Sequence, residues 1–141
     1  MRAEFVIHGI SRTRDRIQKH LAGEMAREGI EDLVPAHGGV LYALSANPGM
    51  TLGDLAQALD RSNSTVTALL DKMEHLGYVK RIQSSEDERV FTAVLTARGK
   101  SAAQAVQRAS KTTLQLLYKG IGAAAKEQFL STLEQIHSNF E

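Results

Sequence analysis

The sequence predicts a mainly α fold with a small β-hairpin wing: a winged helix-turn-helix plus a helical dimerisation region. Three observations predict it. Apolar residues recur at helical intervals through most of the 141 residues. Two short helical patterns are separated by a turn between Thr51 and Gly77. The period then switches to β-branched and aromatic runs at Tyr78–Ile82 and Val90–Leu95.

The first element spans Arg2–Glu28, with Phe5, Ile10, Ile17, Leu21 and Met25 on a proline-free helical pattern. Gly29 and Pro35 bracket a loop, and Pro35 suits the first turn of a second helix bearing Val40, Leu41 and Leu44. Asn47-Pro48-Gly49 ends it. Thr51 is a good N-cap with Asp54 in the acidic first turn, and Leu52, Leu55, Ala56 and Leu59 line a short helix ending near Asp60. Ser62 or Asn63 caps the next helix. Its apolar face is Val66, Leu69, Leu70, Met73 and Leu76, and Gly77 stops it. The charged run Gln83–Arg89 joins the two strands as a long hairpin tip. Thr96 caps a last helical region that breaks at Gly120-Ile121-Gly122 and resumes with Phe129, Leu133, Ile136 and Phe140. Those four form an apolar seam, read either as a dimer interface or as packing against the first helix. The division expected is 1–34 dimerisation helix and loop, 35–96 winged helix-turn-helix, and 97–141 dimerisation helices.

Composition narrows the chemistry. Hydrophobic residues make up 43%, enough for a core. With no cysteine there is no disulfide framework, thiol sensor or cysteine-zinc site, which fits a reducing cytoplasm. No apolar run reaches the roughly 18 residues of a membrane span, and Met1–His20 lacks a signal-peptide core. The expected location is therefore cytoplasmic, on the nucleoid when DNA is bound. His8, His20, His37, His75 and His137 have no ligand spacing, so no metal and no cofactor are expected. No nucleophile elbow, phosphate-cradling glycine loop or catalytic carboxylate pair is present, so no enzyme is expected.

Net charge is only +1. It is unevenly spread: Glu24–Asp60 holds six acidic residues and one basic, and Arg61–Lys100 holds seven basic and five acidic. A major groove, about 12 Å wide, admits one α-helix. The segment Ser62–Leu76 has the division this requires, an apolar inner face and a polar outer face. Ser62, Asn63, Ser64, Thr65, Thr67 and Lys72 are the candidate contacts, with small hydroxyls at the N-terminal end. Ser62 and Asn63 serve equally as caps. Arg81 is placed either on phosphate or against Glu74. Arg89 at the hairpin tip suits a neighbouring minor groove, and Asp87 can fix its guanidinium by a bidentate pair. Asp87 also reads as an ordinary turn aspartate.

At this point a resemblance becomes specific. The run L-G-D-L-A-Q-A-L-D-R-S-N-S-T-V-T-A-L-L-D-K-M-E-H-L-G-Y-V-K-R resembles the helix-turn-helix of the MarR family of bacterial transcriptional regulators. The continuation S-E-D-E-R-V-F-T-A-V-L-T-A-R-G resembles that family's wing, with D-x-R at Asp87–Arg89 and L-T-x-x-G at Leu95–Gly99. P-A-H-G-G-V-L-Y-A-L resembles the helix before the reading head. The resemblance implies a homodimer on palindromic operator double-stranded DNA and usually a small-molecule effector bound between the dimer helices and the head; the expected role is that of a repressor. Arg14, His37 and Tyr42 are the expected pocket for a small anionic or aromatic effector, although His37 also reads as a structural histidine. Two residues depart from the family pattern. Ala68 stands where a basic residue is frequent, and Glu88 replaces the first of paired wing arginines. Both lower positive charge and predict a modest grip on DNA. The alternative is a winged-helix protein-interaction module without specific DNA binding.

Overall fold

The first ordered turn is a short 3₁₀ segment, Ala3–Phe5, that leads into α1 (Val6–Arg27). The computed structural model describes residues Met1–Glu141. Helix α1 ends where the sequence provides a glycine: Gly29 has φ +87°, and the Ile30 N–H reaches back to the Met25 carbonyl at 2.9 Å. Met25 is fully buried from this helix. Helix α2 (Pro35–Ala46) starts on Pro35, whose missing N–H costs nothing in a first turn. It runs through the centre of the molecule and buries Val40, Leu41 and Leu44.

Thr51 and Asp54 form a reciprocal cap for α3 (Leu52–Ala58): the Asp54 N–H donates to Thr51 Oγ1 at 3.1 Å, and the Thr51 N–H to Asp54 Oδ2 at 3.2 Å. The turn to α4 (Asn63–His75) passes through Asp60 at φ +49°. Of the two candidate caps, Ser62 fills the role, accepting the Thr65 N–H at 3.2 Å. Asn63 is the first helical residue. Val66, Leu70 and Met73 are fully buried, which fixes the inner face of α4. Gly77 at φ +82° ends the helix, and the Tyr78 N–H closes on the Met73 carbonyl at 2.8 Å.

The sheet has three strands where a two-stranded hairpin was expected. β1 (Met50–Thr51), β2 (Val79–Gln83) and β3 (Phe91–Leu95) are antiparallel in the order β1-β3-β2. Met50 pairs with Ala93, and Arg81 pairs with Ala93 from the other side. The two-residue β1 carries no readable period, yet it staples the head's first helix to the wing. The expected strands are displaced slightly: Tyr78 turns into the core and Val90 falls outside β3.

Helix α5 (Ala97–Leu117) is capped by Thr96 and packs along α1 and α2 through Ala102, Ala105, Val106 and Ala109. His20 Nδ1 meets Thr113 Oγ1 at 3.1 Å, and Arg108 meets Glu28 at 2.9 Å, joining α5 to α1. After Gly120 at φ +78° comes α6 (Ala123–Ser138). The seam is not packed against the first helix: Phe129, Leu133 and Ile136 stay 38–48% exposed, and Phe140 is 88% exposed.

Candidate nucleic-acid interface

The inward set of α4 leaves the row Ser64, Ala68, Asp71 and His75, flanked by Lys72, facing solvent. Ser62, Asn63, Ser64 and Thr65 are all exposed at its N-terminal end. They do not have equal freedom. The Ser62 hydroxyl donates to Thr65 Oγ1 at 2.9 Å and lies 3.1 Å from Ser64 Oγ, so three hydroxyls form one small cluster around the cap. Thr67 is half-buried on the flank, where the sequence reading placed it outward. The helix repeat explains this: Thr67 follows the core residue Val66 and lies beside Leu70 rather than opposite it. Lys72 is exposed.

The wing tip runs from Ser84 to Val90, with the Ser84 N–H on the Val90 carbonyl at 2.8 Å. Arg89 projects from it with 90% of its side chain exposed. Asp87 holds it as a fork, Nε to Oδ1 at 3.1 Å and Nη2 to Oδ2 at 3.2 Å, and also accepts the Arg89 backbone N–H at 3.0 Å. These bonds hold the Asp87 carboxyl below its usual range, the side-chain pair first and the backbone donor second. The charge-assisted fork is the arrangement expected from D-x-R spacing.

Arg81 is placed differently from the other basic candidates. Its guanidinium pairs with Asp71 and approaches Glu74, both on α4, and only 23% of the side chain is exposed.

The residues expected to share an effector pocket are separated. Tyr42 lines a cleft of ≈ 480 Å³ between α2 and α5, with Leu21, Gln104, Gln107 and Ser110. Arg14 lines a second cleft of ≈ 600 Å³, with Gln18, Arg61, Thr65 and Leu69. Pro35 and Gly39 border both. His37 lines neither: it is 3% exposed, and its Nδ1 accepts the Val34 N–H at 3.0 Å. It stands three residues after that N–H, at the start of α2, so it caps the helix instead of meeting solvent. Burial lowers its pKa, and Lys72 lowers it further.

One cluster escaped the sequence reading. The buried Tyr78 hydroxyl donates to Asp32 Oδ1 at 2.6 Å. Arg98 donates to Asp32 Oδ2 at 3.0 Å, to the Tyr78 oxygen at 3.1 Å and to the Leu76 carbonyl, with its guanidinium 4.2 Å from the Tyr78 ring centroid. The Tyr78 bond, more than Arg98, lowers the Asp32 pKa; burial, followed by Asp32, raises that of Tyr78. A faint signal existed. Arg98 is a cation in the first turn of α5, where the helix dipole disfavours it, so it needs a partner elsewhere. That partner includes the C-terminal carbonyl end of α4, where a cation is favoured.

Residues 31–90 match the MarR family model. The HTH-type transcriptional regulator YfiV of Bacillus subtilis is 38% identical over 61 residues, 43% of this chain and 38% of YfiV. The chain spans less than half the length of the first curated relatives it matches. Among solved structures, the transcriptional repressor CouR bound to a 23-mer DNA duplex has a TM-score of 0.83 at 26% identity, covering 96% of this chain and 94% of CouR. The PcaV transcriptional regulator from Streptomyces coelicolor, in complex with its natural ligand, has a TM-score of 0.84 at 14% identity, covering 100% and 95%. No helix is long and apolar enough to cross a membrane. The segment 31–90 is thus similar to the MarR family, and the fold of the chain is a winged helix-turn-helix.

Proposed function

We propose that the chain is a DNA-binding transcriptional regulator, a homodimeric repressor of palindromic operators. The observation that carries this reading is the Asp87–Arg89 fork on an exposed wing beside the uncovered face of α4. A fixed, projecting arginine suits the negative minor groove, and a helix with small hydroxyls at its N-terminus suits the adjacent major groove. Residues 35–96 act as the head. The apolar faces of α1 and α6 join two copies and set the two recognition helices about one DNA turn apart. CouR, similar over nearly the whole chain, is named as a repressor bound to DNA, which favours the same role here.

The two clefts are the effector sites in this reading. In the one lined by Arg14, Asp15 and Arg61, Asp15 pairs with Arg14, and Arg61 is left for a small anion; the cleft abuts Thr65 at the start of α4, so an occupant there biases the helix that meets DNA. The cleft lined by Tyr42 fits an aromatic ring. PcaV, named in complex with its natural ligand, supports effector binding by this fold.

The test is a gel-shift and footprinting assay with DNA from upstream of the chain's own gene. A protected palindrome, with affinity reduced at least tenfold in Arg89→Ala, is the expected result. No shift at low salt sinks the DNA reading and leaves the protein-interaction module in its place.

A further inference from the structure

Arg81 is tied to two neighbouring elements, α4 and β3. It lies on β2, and its backbone N–H donates to Glu74 Oε2 at 3.1 Å. Its guanidinium pairs with Asp71 and lies 5.1 Å from the centroid of the Phe91 ring on β3. Its Nε is buried, 3.9 Å from Glu74 Oε1 and without a hydrogen-bond partner. A nitrogen with no accessible surface cannot meet a phosphate, and only 23% of the Arg81 side chain is exposed. Arg89, 90% exposed against 23% for Arg81, shows what an available arginine looks like on the same wing.

The carboxylates matter as much as the cation. Asp71 belongs to the outward row of α4 and is 60% exposed; Glu74, 44% exposed, lies beside it. A duplex carries one negative charge per roughly 1.7 Å of axis, so two free carboxylates on a groove-facing helix oppose docking. One guanidinium between them offsets that repulsion and also joins α4, β2 and β3.

We propose that Arg81 is a positioning residue, an internal clamp that holds the wing on α4 and masks Asp71 and Glu74, rather than a DNA contact. The masking half rests on the DNA-binding reading above; the clamping half does not.

Two measurements on the full chain test it, each with Arg81→Ala, the pair Asp71→Asn with Glu74→Gln, and the triple variant. The first is amide hydrogen exchange. A clamp predicts that Arg81→Ala speeds exchange of the β2 amides about tenfold, that the carboxylate pair does the same, and that the triple variant adds little more. The second is affinity for the upstream duplex. Masking predicts a loss of about tenfold in Arg81→Ala that the triple variant largely recovers, because the unmasked charges are gone. A phosphate contact predicts a loss that persists in the triple variant, and that result overturns the masking half. Unchanged or additive exchange overturns the clamp. If wild-type protein binds no duplex, the DNA reading and the masking half fall together, while the exchange cycle still decides the clamp. Arg81→Gln, which keeps part of the stem over Phe91, replaces the alanine variant if that chain does not fold.

Discussion

Gly99 lies directly under the carbonyl of Tyr78, so close that a Cβ at position 99 would collide with that backbone oxygen. The approach follows from Thr96. Its N–H and its hydroxyl both reach the Tyr78 carbonyl at 3.1 Å, and the same hydroxyl donates to the Gly77 carbonyl at 2.6 Å. The Gly99 N–H then caps back onto Thr96 Oγ1 at 3.1 Å. The L-T-x-x-G element is thus a weld between the end of α4 and the start of α5, and glycine is required by space rather than by φ.

Gly99→Ala is expected to cost about 1–3 kcal/mol, because backbone on both sides must shift to admit one methyl. Urea unfolding checks this: the midpoint falls while the slope is kept. An unchanged midpoint would show that the weld yields easily.

A pH dependence follows from His37. Its folded pKa lies below the usual 6.5, chiefly through burial and then through Lys72. The Val34 N–H also points into Nδ1, so protonating that nitrogen sets two donors against each other. The groups that face it are Asp32, Lys72 and the Val34 amide. Because the folded value is depressed, the unfolded chain binds the proton first. Stability is therefore full above 6.5 and falls as pH drops toward the folded value, by at most about 1.4 kcal/mol per pH unit. His37→Gln should flatten urea midpoints across this window. A wild-type curve that is already flat there discards the prediction.

The sequence made the helices and the wing readable because their signals are local. Thr51, Gly77 and Thr96 announce caps within three or four residues, and Val66, Leu70 and Met73 announce a face within one helix. Three features had no such signal. Strand β1 is two residues long, shorter than any period. The Asp32–Tyr78–Arg98 cluster joins residues 46 and 20 positions apart, so only the fold brings it together. Arg14, His37 and Tyr42 do not line one cleft for a related reason: spacing along the chain does not say which way each helix face turns. In the sequence Arg81 suits either phosphate or Glu74, and its partners include Asp71, ten residues earlier.

That remote cluster is itself testable. Tyr78→Phe removes the donor to Asp32 Oδ1 and is expected to cost about 1–2 kcal/mol. The Asp32 carboxyl is held below its usual 3.8, first by this bond and less by Arg98. A depressed acid stabilises the fold above its unfolded pKa, and that contribution is lost as pH falls through the lowered folded value. The variant should therefore lose less on acidification than the wild type. Parallel acid limbs for both proteins, in unfolding followed by circular dichroism, would remove Tyr78 from this role.

The open face of α6 makes the last prediction. Phe129, Leu133, Ile136 and Phe140 follow spacings of four, three and four, and no element of the same chain covers them. Phe5, Val6, Ile7 and Ile10 at the start of α1 are exposed as well. Scattered apolar residues on a surface need no explanation, but two helical stripes of them mark an interface. Charge enters such a seam at high cost, since a buried carboxylate without a partner is strongly disfavoured. Leu133→Asp should therefore raise the dimer dissociation constant at least tenfold and leave the monomer's head intact, because α6 adds no residue to the core. Sedimentation velocity over a concentration series reads the first effect, and the unfolding midpoint of the head reads the second. A wild-type chain that sediments as a monomer at every concentration would rule out α6 as a dimer seam.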